Sequence, residues 1–187
     1  MATGAARAVD GRLRRKILLA HSPALDVLSA GVTPLTSPAF LIGCTLAASF
    51  RSRRLGANVW LPIGAAPFLA MIAGRCFTAV LPQQFAPEGS GGTPEASFPS
   101  GHTTGATAEM FTIACVLRRN RVFGRAGAAA LALVPLIGGA NRLYRDRHWS
   151  SDIVAGLSAG TAIAMALATV SEQLSVRHPA NIRLRER

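Results

Sequence analysis

Charged side chains are scarce in this sequence of 187 residues. Only 16% of the residues are charged, against about 25% in an average soluble domain, whereas 50% are apolar. A chain with so few charges is a poor candidate for a water-soluble globular domain. The composition therefore makes a membrane-embedded protein the leading class.

Acidic and aromatic residues are also few. Asp and Glu number 9 against 20 Lys and Arg, which gives a formal net charge of +11, and aromatic residues make up 6%. The basic residues fall in short clusters between apolar runs, and only Trp60, Tyr144 and Trp149 offer larger polar aromatic rings for stacking on bases. Nucleic acid is therefore not expected as a partner, since arginine-rich loops between apolar segments are what fixes the orientation of a membrane protein.

Cysteine is rare and poorly spaced for metal binding. Cys44, Cys76 and Cys115 form no CxxC pair, and each lies in or beside an apolar run. This spacing disfavours a zinc site or a disulfide and is typical of cysteine used as a small buried hydrophobe. The sequence also has no acidic cluster suited to magnesium, so no metal and no cofactor are expected.

Apolar runs are what the sequence has instead. Five runs alternate with polar segments: Pro38–Phe50, Ala57–Pro82, Gly101–Leu117, Ala126–Ala140 and Trp149–Val170. The second is long enough to cross a hydrocarbon layer of ~30 Å. Two interpretations of residues 18–35 fit the sequence equally. They form either a membrane crossing interrupted by polar residues or an amphipathic helix that lies at the outer interface. We predict an all-α polytopic transmembrane bundle of about five to six helices.

The chain is expected to form a single membrane-embedded domain over residues 1–187, because no linker or repeat divides it. Residues 1–36 form an N-terminal basic and amphipathic segment, and residues 177–187 form a basic tail. The segments 51–54 and 118–125 and the tail together carry eleven arginines. The positive-inside rule makes their side cytoplasmic, so that residues 83–100 and 142–147 face outward. The first of these segments contains a solvated loop rich in Gly and Pro over residues 83–98.

One of the outward-facing segments is typical of an anion site. Pro99-Ser100-Gly101-His102 opens a helix, whose unpaired backbone N–H groups and positive dipole end favour a bound anion. Gly101 permits close approach, and Ser100 adds a hydroxyl donor. Taken alone, this segment also fits an ordinary Ser N-cap followed by an exposed His.

The other outward-facing segment holds half of a catalytic triad. His148 and Asp152 are four residues apart, which places both side chains on one helical face, where the carboxylate can hold the imidazole in one tautomer. Arg142 precedes them at the same membrane face. Taken alone, the pair also fits a surface His–Asp contact that caps a helix. Charged groups so close to the hydrocarbon layer are costly unless they are paired or functional.

Together, Pro99-Ser100-Gly101-His102 and Arg142-x5-His148-x3-Asp152 resemble the second and third signature motifs of the type 2 phosphatidic acid phosphatase (PAP2) family. The resemblance implies a PAP2/haloperoxidase-like helical core and a metal-independent lipid phosphate phosphatase. Its substrate would be a polyprenyl phosphate or diphosphate, phosphatidic acid or a similar lipid, with the polyprenyl carrier preferred because it is common among small bacterial members. The protein would lie in the bacterial cell (inner) membrane, with its active site on the extracytoplasmic face.

The resemblance also implies a role for each motif residue. His148 would attack phosphorus to give a phosphohistidine, Asp152 would orient His148, and His102 would protonate the leaving oxygen. The phosphoryl oxygens would be held by three further residues: Ser100, Gly101 and Arg142. Such donors can meet the developing negative charge without a metal.

The first motif of the family, a Lys six residues ahead of an Arg-Pro pair, is not intact. Its expected place holds Arg75 and then Leu81-Pro82. We predict that Arg75 supplies the missing cation to the phosphate, with a structural pair between Arg75 and Glu109 as the alternative. Because the first motif is incomplete, an alternative function stays open: the chain could be a non-catalytic PAP2-like membrane binding or scaffold protein. A vanadate-using haloperoxidase is disfavoured, because the chain has little beyond its membrane helices.

The remaining polar and small residues have structural interpretations. The spacing of Gly156 and Gly160 predicts close helix packing. Glu109 is interpreted as a helix-packing acid in preference to a proton relay, and residues 145–147 as a solvated turn. His21 and His178 are assigned no role. The sequence leaves the oligomeric state open.

Overall fold

The structure of the chain, a computed structural model, describes residues 4–81, 85–87 and 97–177. Within these ranges the chain is helical, as predicted, and a short 3-10 turn at Ser52–Leu55 follows α3. The α-helices are α1 (Gly4–Leu19), α2 (Pro23–Leu35), α3 (Pro38–Arg51), α4 (Ala57–Val80), α5 (Gly101–Arg119), α6 (Arg125–Tyr144) and α7 (Ser150–Arg177). Most of the predicted loop 83–98 and residues 178–187 of the tail lie outside the described residues.

The region that the sequence left open contains the first half of a bent crossing. Ser22 and Ser37 cap α2 and α3 with their hydroxyls, and a proline follows each of them in the first turn. Helix α2 ends at Leu35, and the cap at Ser37 starts α3, with a bend of 45° between the two helical segments. Together they are long and apolar enough to count as one broken span.

Three further helices, α4, α6 and α7, are long and apolar enough to cross a membrane. Large apolar side chains on their outer faces are exposed, as expected for contact with lipid: Phe68, Met71, Ile72, Leu133, Leu136, Val154 and Met165. The cysteines follow the same pattern. Cys44, Cys76 and Cys115 are free and exposed, so the prediction that they are buried was wrong, because an apolar side chain in a membrane bundle can face lipid as well as the core.

Helix α5 is not apolar enough to be counted with these three helices, although the sequence predicted a crossing here. It carries His102, Glu109 and several threonines, and twelve of its residues are buried. It packs mainly against α7, α6 and α4, which shield it from lipid. Since neighbouring helices surround α5, it tolerates polar residues that a lipid-facing helix would not.

The helices alternate in direction between two ends of the bundle. At one end the Ser100 amide at the start of α5 donates to the Asp152 carbonyl in α7 at 3.1 Å, and α6 ends beside them. We call this the site end and define it by residues 97–102 and 142–152. At the other end, the arginine end (residues 51–55 and 118–125), Arg119 pairs with Glu172. The broken span and α4 to α7 therefore make five passes between the two ends of the bundle, of which all but α5 are long and apolar enough to cross a membrane.

The two glycines of α7 bring its backbone against α5. A Cβ atom added at Gly160 would lie 2.6 Å from the Thr104 carbonyl oxygen, and one added at Gly156 would lie 2.9 Å from the Ser100 carbonyl oxygen. Neither distance leaves room for a side chain, so the predicted close packing at this GxxxG spacing is confirmed. The contact fixes the start of α7 relative to the start of α5.

Helix α1 lies at the site end and is not part of the five passes. It has 16 residues, and its one acidic residue, Asp10, is buried against the start of α7. Its Arg14 forms an ion pair with Asp146, which is only 9% exposed. The interpretation of residues 145–147 as a solvated turn is therefore wrong for Asp146, because a helix more than a hundred residues away covers it.

Candidate active site

The start of α5 is built by Ser100. Its side chain is fully buried, and its hydroxyl oxygen accepts hydrogen bonds from the Thr103 amide at 3.4 Å and from the Thr103 hydroxyl at 3.1 Å. Ser100 is thus a helix N-cap, and its own amide ties α5 to α7 through Asp152. Gly101, the next residue, is exposed, and no atom lies within 4 Å of the position a Cβ would take. The helix start is therefore open to an approaching anion.

The next residue, His102, meets the last turn of α6. One terminal guanidinium nitrogen of Arg142 lies 2.7 Å from Nε2 and 2.9 Å from Nδ1 of His102. Because a guanidinium only donates, the contact requires a ring nitrogen that accepts. An anion that bound Arg142 would compete with this contact and release the imidazole.

His148 lies on the turn before α7, with its side chain 12% exposed. Its Nδ1 faces Oδ2 of Asp152 at 3.4 Å, and Asp152 is fully buried. The same Oδ2 accepts a hydrogen bond from the Trp149 amide at 3.0 Å, which holds the carboxylate in place. The 3.4 Å separation is longer than an ordinary hydrogen bond, as catalytic pairs often are before substrate binds. With Nδ1 directed at the carboxylate, Nε2 is the ring nitrogen that faces away from Asp152.

The structure brings six of the seven predicted site residues to one end of the bundle: Ser100, Gly101, His102, Arg142, His148 and Asp152. The six residues come from the starts of α5 and α7 and from the end of α6. Helices that run in alternate directions thus place residues far apart in sequence at one membrane face.

Arg75 is the seventh predicted residue, and the structure does not bring it to the others. The buried face of α4 runs through Ile63, Ala66 and Ala70, whereas Arg75 lies off that stripe and is exposed. Among the described residues, no hydrogen bond or ion pair joins it to the site residues. The alternative pair with Glu109 is not formed either. Glu109 is buried on α5 and only 3% exposed.

A polar network on α2, which the sequence reading did not single out, adjoins the site. The Ser29 hydroxyl donates to Asn141 Oδ1 at 2.6 Å, and Asn141 Nδ2 donates to the Thr33 hydroxyl at 3.0 Å. Arg145 donates to the same hydroxyl at 2.7 Å. Thr33 and Asn141 also line a small cavity beside His102 and Arg142. The sequence feature that could have indicated this network is the spacing of Ser29 and Thr33, which lie four residues apart on one helical face.

His21 also has partners. Its ring stacks on Tyr144 with centroids 4.2 Å apart, and its Nε2 lies 3.0 Å from the Tyr144 carbonyl oxygen. His21 therefore joins the start of α2 to the end of α6, which the sequence reading did not anticipate. His178 lies outside the described residues. Across the part of the chain that the structure describes, no group of three or more His, Cys, Asp or Glu side chains is arranged to hold a metal ion.

Comparison with known proteins identifies the family. The family model of the PAP2 superfamily matches residues 63–175. The chain belongs to the PAP2 superfamily. The match starts within α4 and ends within α7, so it contains all six of the converging residues, whereas α1, α2 and α3 precede it.

The fold agrees with this family. The chain is similar to the crystal structure of a transmembrane PAP2 type phosphatidylglycerolphosphate phosphatase from Bacillus subtilis, with a TM-score of 0.71 and 22% identity. The alignment covers 92% of this chain and 89% of that one. No curated protein matches the chain. The predicted helical membrane bundle is thus a PAP2 fold, and the protein is an integral membrane member of that superfamily.

Proposed function

We propose that this PAP2 protein is a membrane lipid phosphatase that removes phosphate from a lipid phosphomonoester or diphosphate through a phosphohistidine on His148. One observation carries the proposal. A His–Asp pair, a second histidine, an arginine and an open helix start converge at one end of the bundle, although they come from three helices. Stability alone does not call for these four polar side chains at a membrane face, where each is costly unless paired or functional.

In the proposed first step, Nε2 of His148 attacks phosphorus, a P–N bond forms and the bond from phosphorus to the lipid oxygen breaks. Asp152 accepts from Nδ1 of His148 and stabilises the charge that develops on the ring. Once Arg142 has turned to the phosphate, His102 takes up a proton from water and, as the imidazolium, gives that proton to the leaving oxygen. In the second step water attacks phosphorus, His102 takes a proton from that water, and the P–N bond breaks to release phosphate and free His148.

The phosphoryl oxygens would be held by Arg142, by the Gly101 amide and by Ser100. The buried Ser100 hydroxyl already accepts from Thr103, so we assign it mainly to building the helix start, with its remaining O–H available as a donor. Arg142 would leave the ring of His102 and turn to the phosphate, which couples substrate binding to freeing of the acid. Preorganised donors of this kind stabilise the negative charge of the transition state.

We place the site on the extracytoplasmic face of a bacterial cell membrane. The arginine end and the tail carry eleven arginines, whereas α1 adds its basic residues to the site end and brings that side to eight. The eight are Arg7, Arg12, Arg14, Arg15, Lys16, Arg142, Arg145 and Arg147. The excess of basic residues at the arginine end and tail still indicates that this side is cytoplasmic. The basic loops of the arginine end are short, and the positive-inside rule applies best to short loops.

The position of the site at the end of a membrane bundle supports a lipid as the substrate class. A lipid can present its phosphate there while its chains stay in the hydrocarbon layer. The structural neighbour is named for phosphatidylglycerolphosphate, and the family resemblance also covers polyprenyl phosphates and phosphatidic acid. We rank a polyprenyl phosphate or diphosphate first among these.

The decisive experiment measures phosphate release by the purified protein from a panel of polyprenyl diphosphate, polyprenyl phosphate, phosphatidic acid and phosphatidylglycerol phosphate. We expect release from at least one lipid and its loss in His148→Ala. His21→Ala is the matched control, because it removes a histidine at the same end of the bundle that has no role in the proposed chemistry. A folded protein that binds these lipids but releases phosphate from none would instead support the non-catalytic scaffold.

A further inference from the structure

The turn between α6 and α7 carries His148, and its backbone conformation is unusual. Asp146 has a φ of 53°, in the left-handed region that glycine or asparagine normally occupies after a helix. The Arg147 amide donates to the Arg142 carbonyl at 3.0 Å, and the Asp146 amide donates to the Leu143 carbonyl at 3.1 Å. These two bonds form a Schellman motif. The course of the backbone from Arg142 to His148 thus depends on Asp146, whose backbone conformation is strained.

Helix α1 holds that aspartate. The Nε and one terminal nitrogen of Arg14 donate to the two carboxylate oxygens of Asp146, at 2.8 and 2.7 Å. Such a two-point contact fixes the orientation of both groups. The guanidinium carbon of Arg14 also lies 5.8 Å from the ring centre of Trp149, the residue after His148.

The same helix holds the start of α7 through Asp10. Asp10 Oδ1 accepts from the Ser151 amide at 3.0 Å, and Oδ2 accepts from the Ser151 hydroxyl at 2.7 Å. The Ser150 hydroxyl also donates to Asp10. Asp10 is only 4% exposed. A carboxylate that binds an unpaired amide at a helix start acts as an N-cap, and here the cap comes from a distant helix.

These contacts bracket His148 on both sides along the chain. Arg14 fixes the residue two positions before it, and Asp10 fixes the residue three positions after it. Leu13, Ile17 and His148 also line one small pocket, so α1 packs against the turn itself. The contact between His148 and Asp152 is 3.4 Å long and is not yet a tight hydrogen bond. A small shift of this turn would therefore change how the carboxylate orients the ring.

We propose that Asp10 and Arg14 are positioning residues, through which α1 holds the His148 turn and the start of α7 in the geometry that the phosphoryl transfer requires. The inference rests on the proposed function of His148. It assigns a task to a helix that precedes the family match, and neither residue is among the proposed phosphate ligands. A reacting group displaced by about 1 Å can lose roughly a hundred-fold in rate.

The test uses the full-length protein and compares Asp10→Asn and Asp146→Asn with the control Arg15→Ala. Asparagine keeps the size of each side chain and tolerates the left-handed conformation, while it removes the charge from both contacts. Arg15 is an exposed arginine on the same helix. We expect kcat per folded molecule to fall by roughly ten-fold in both Asn variants, with KM within about two-fold of the original value. The control should leave both values unchanged.

A charge-exchanged double variant, Arg14→Asp with Asp146→Arg, separates positioning from a general loss of folding. Each single change should lower kcat, and the double variant should recover part of that loss because the ion pair can form again. Unchanged kcat in the Asn variants would overturn the proposal. A rise in KM alone would also overturn it, because α1 would then act in substrate binding.

Hydrogen exchange provides a readout that does not depend on activity. In Asp10→Asn the Ser151 amide loses its charged acceptor, so a peptide covering residues 146–152 should exchange several-fold faster than in Arg15→Ala. If the unaltered protein released no phosphate from any lipid, the proposed function would fail, and exchange would still decide whether α1 holds the turn. Equal exchange in the two variants would overturn the inference whatever the activity.

Discussion

Replacing Gly156 by alanine should impair catalysis more than the size of one methyl group suggests. The new Cβ would lie 2.9 Å from the Ser100 carbonyl oxygen and 3.0 Å from Cβ of Thr103. Non-bonded carbon atoms pack best at about 3.5–4.0 Å, so α7 would have to move from α5 by roughly 0.5–1 Å. The move would stretch the bond from the Ser100 amide to the Asp152 carbonyl, which is 3.1 Å long.

The expected magnitude follows from that displacement. Overpacking at a tight helix contact costs about 1–3 kcal/mol of folding stability. The shift also moves Asp152 and His148 relative to His102, and a misplacement of this order should lower kcat by roughly ten- to a hundred-fold. In Gly160→Ala the closest clashes are with Cβ of Thr107 at 2.5 Å and the Thr104 carbonyl oxygen at 2.6 Å, one turn further from the site. That variant should lose more stability and less kcat per folded molecule.

The assay combines thermal unfolding of the purified protein with phosphate release from its best lipid substrate. Gly43→Ala serves as the control, because nothing lies within 4 Å of its added Cβ. Gly43 is a helix-interior glycine too, so its replacement should leave kcat unchanged and stability equal or slightly higher. If Gly156→Ala lost stability but kept the original kcat per folded molecule, the link between the α5–α7 contact and catalysis would be refuted.

Three other predictions concern orientation, metal dependence and Arg75. In intact cells, in a background without the native cysteines, a membrane-impermeant thiol reagent should label Ser90→Cys but not Val122→Cys. Val122 is exposed at the arginine end, which is expected inside, and the reverse pattern would contradict the orientation. Phosphate release should persist in chelator and be inhibited by vanadate, since histidine and guanidinium groups meet the phosphate charge; loss in chelator that magnesium restores would count against this mechanism. Arg75→Ala should change kcat/KM by less than about three-fold, because the side chain lies off the buried face of α4, whereas Arg142→Ala should lower it by about ten- to a thousand-fold. An equally large loss in both variants would show that Arg75 reaches the phosphate.

The sequence predicted the helices well, because the local composition of the chain is enough to identify a membrane helix. The run at Gly101–Leu117 became α5 (Gly101–Arg119), and the run at Trp149–Val170 became most of α7 (Ser150–Arg177). Backbone polar groups must be satisfied within each segment in lipid, so a long apolar run leaves few alternatives to a helix. The helix ends were less certain, since they depend on caps such as Ser22 and Ser37.

The predicted site depended on motif spacing, and spacing does not show which helix faces meet. The separation of four residues from His148 to Asp152 fixed their common face, because a helix has one geometry. Arg75 had a suitable position along its helix, yet the buried face of α4 turned out to exclude it. The direction in which α4 presents each residue is decided by packing against α5.

By itself the sequence determined the residues of the proposed chemistry and the membrane class of the chain, since both rest on residue type and short-range periodicity. Tertiary structure decided what surrounds that chemistry. Arg14 meets Asp146 across 132 positions of sequence, and Asp10 caps a helix that starts at Ser150. No local sequence pattern predicts such contacts, because each of these charged residues, taken alone in the sequence, is indistinguishable from a charged residue on a solvated surface. Only the docking of α1 on the site end removes water from these groups and gives them their partners.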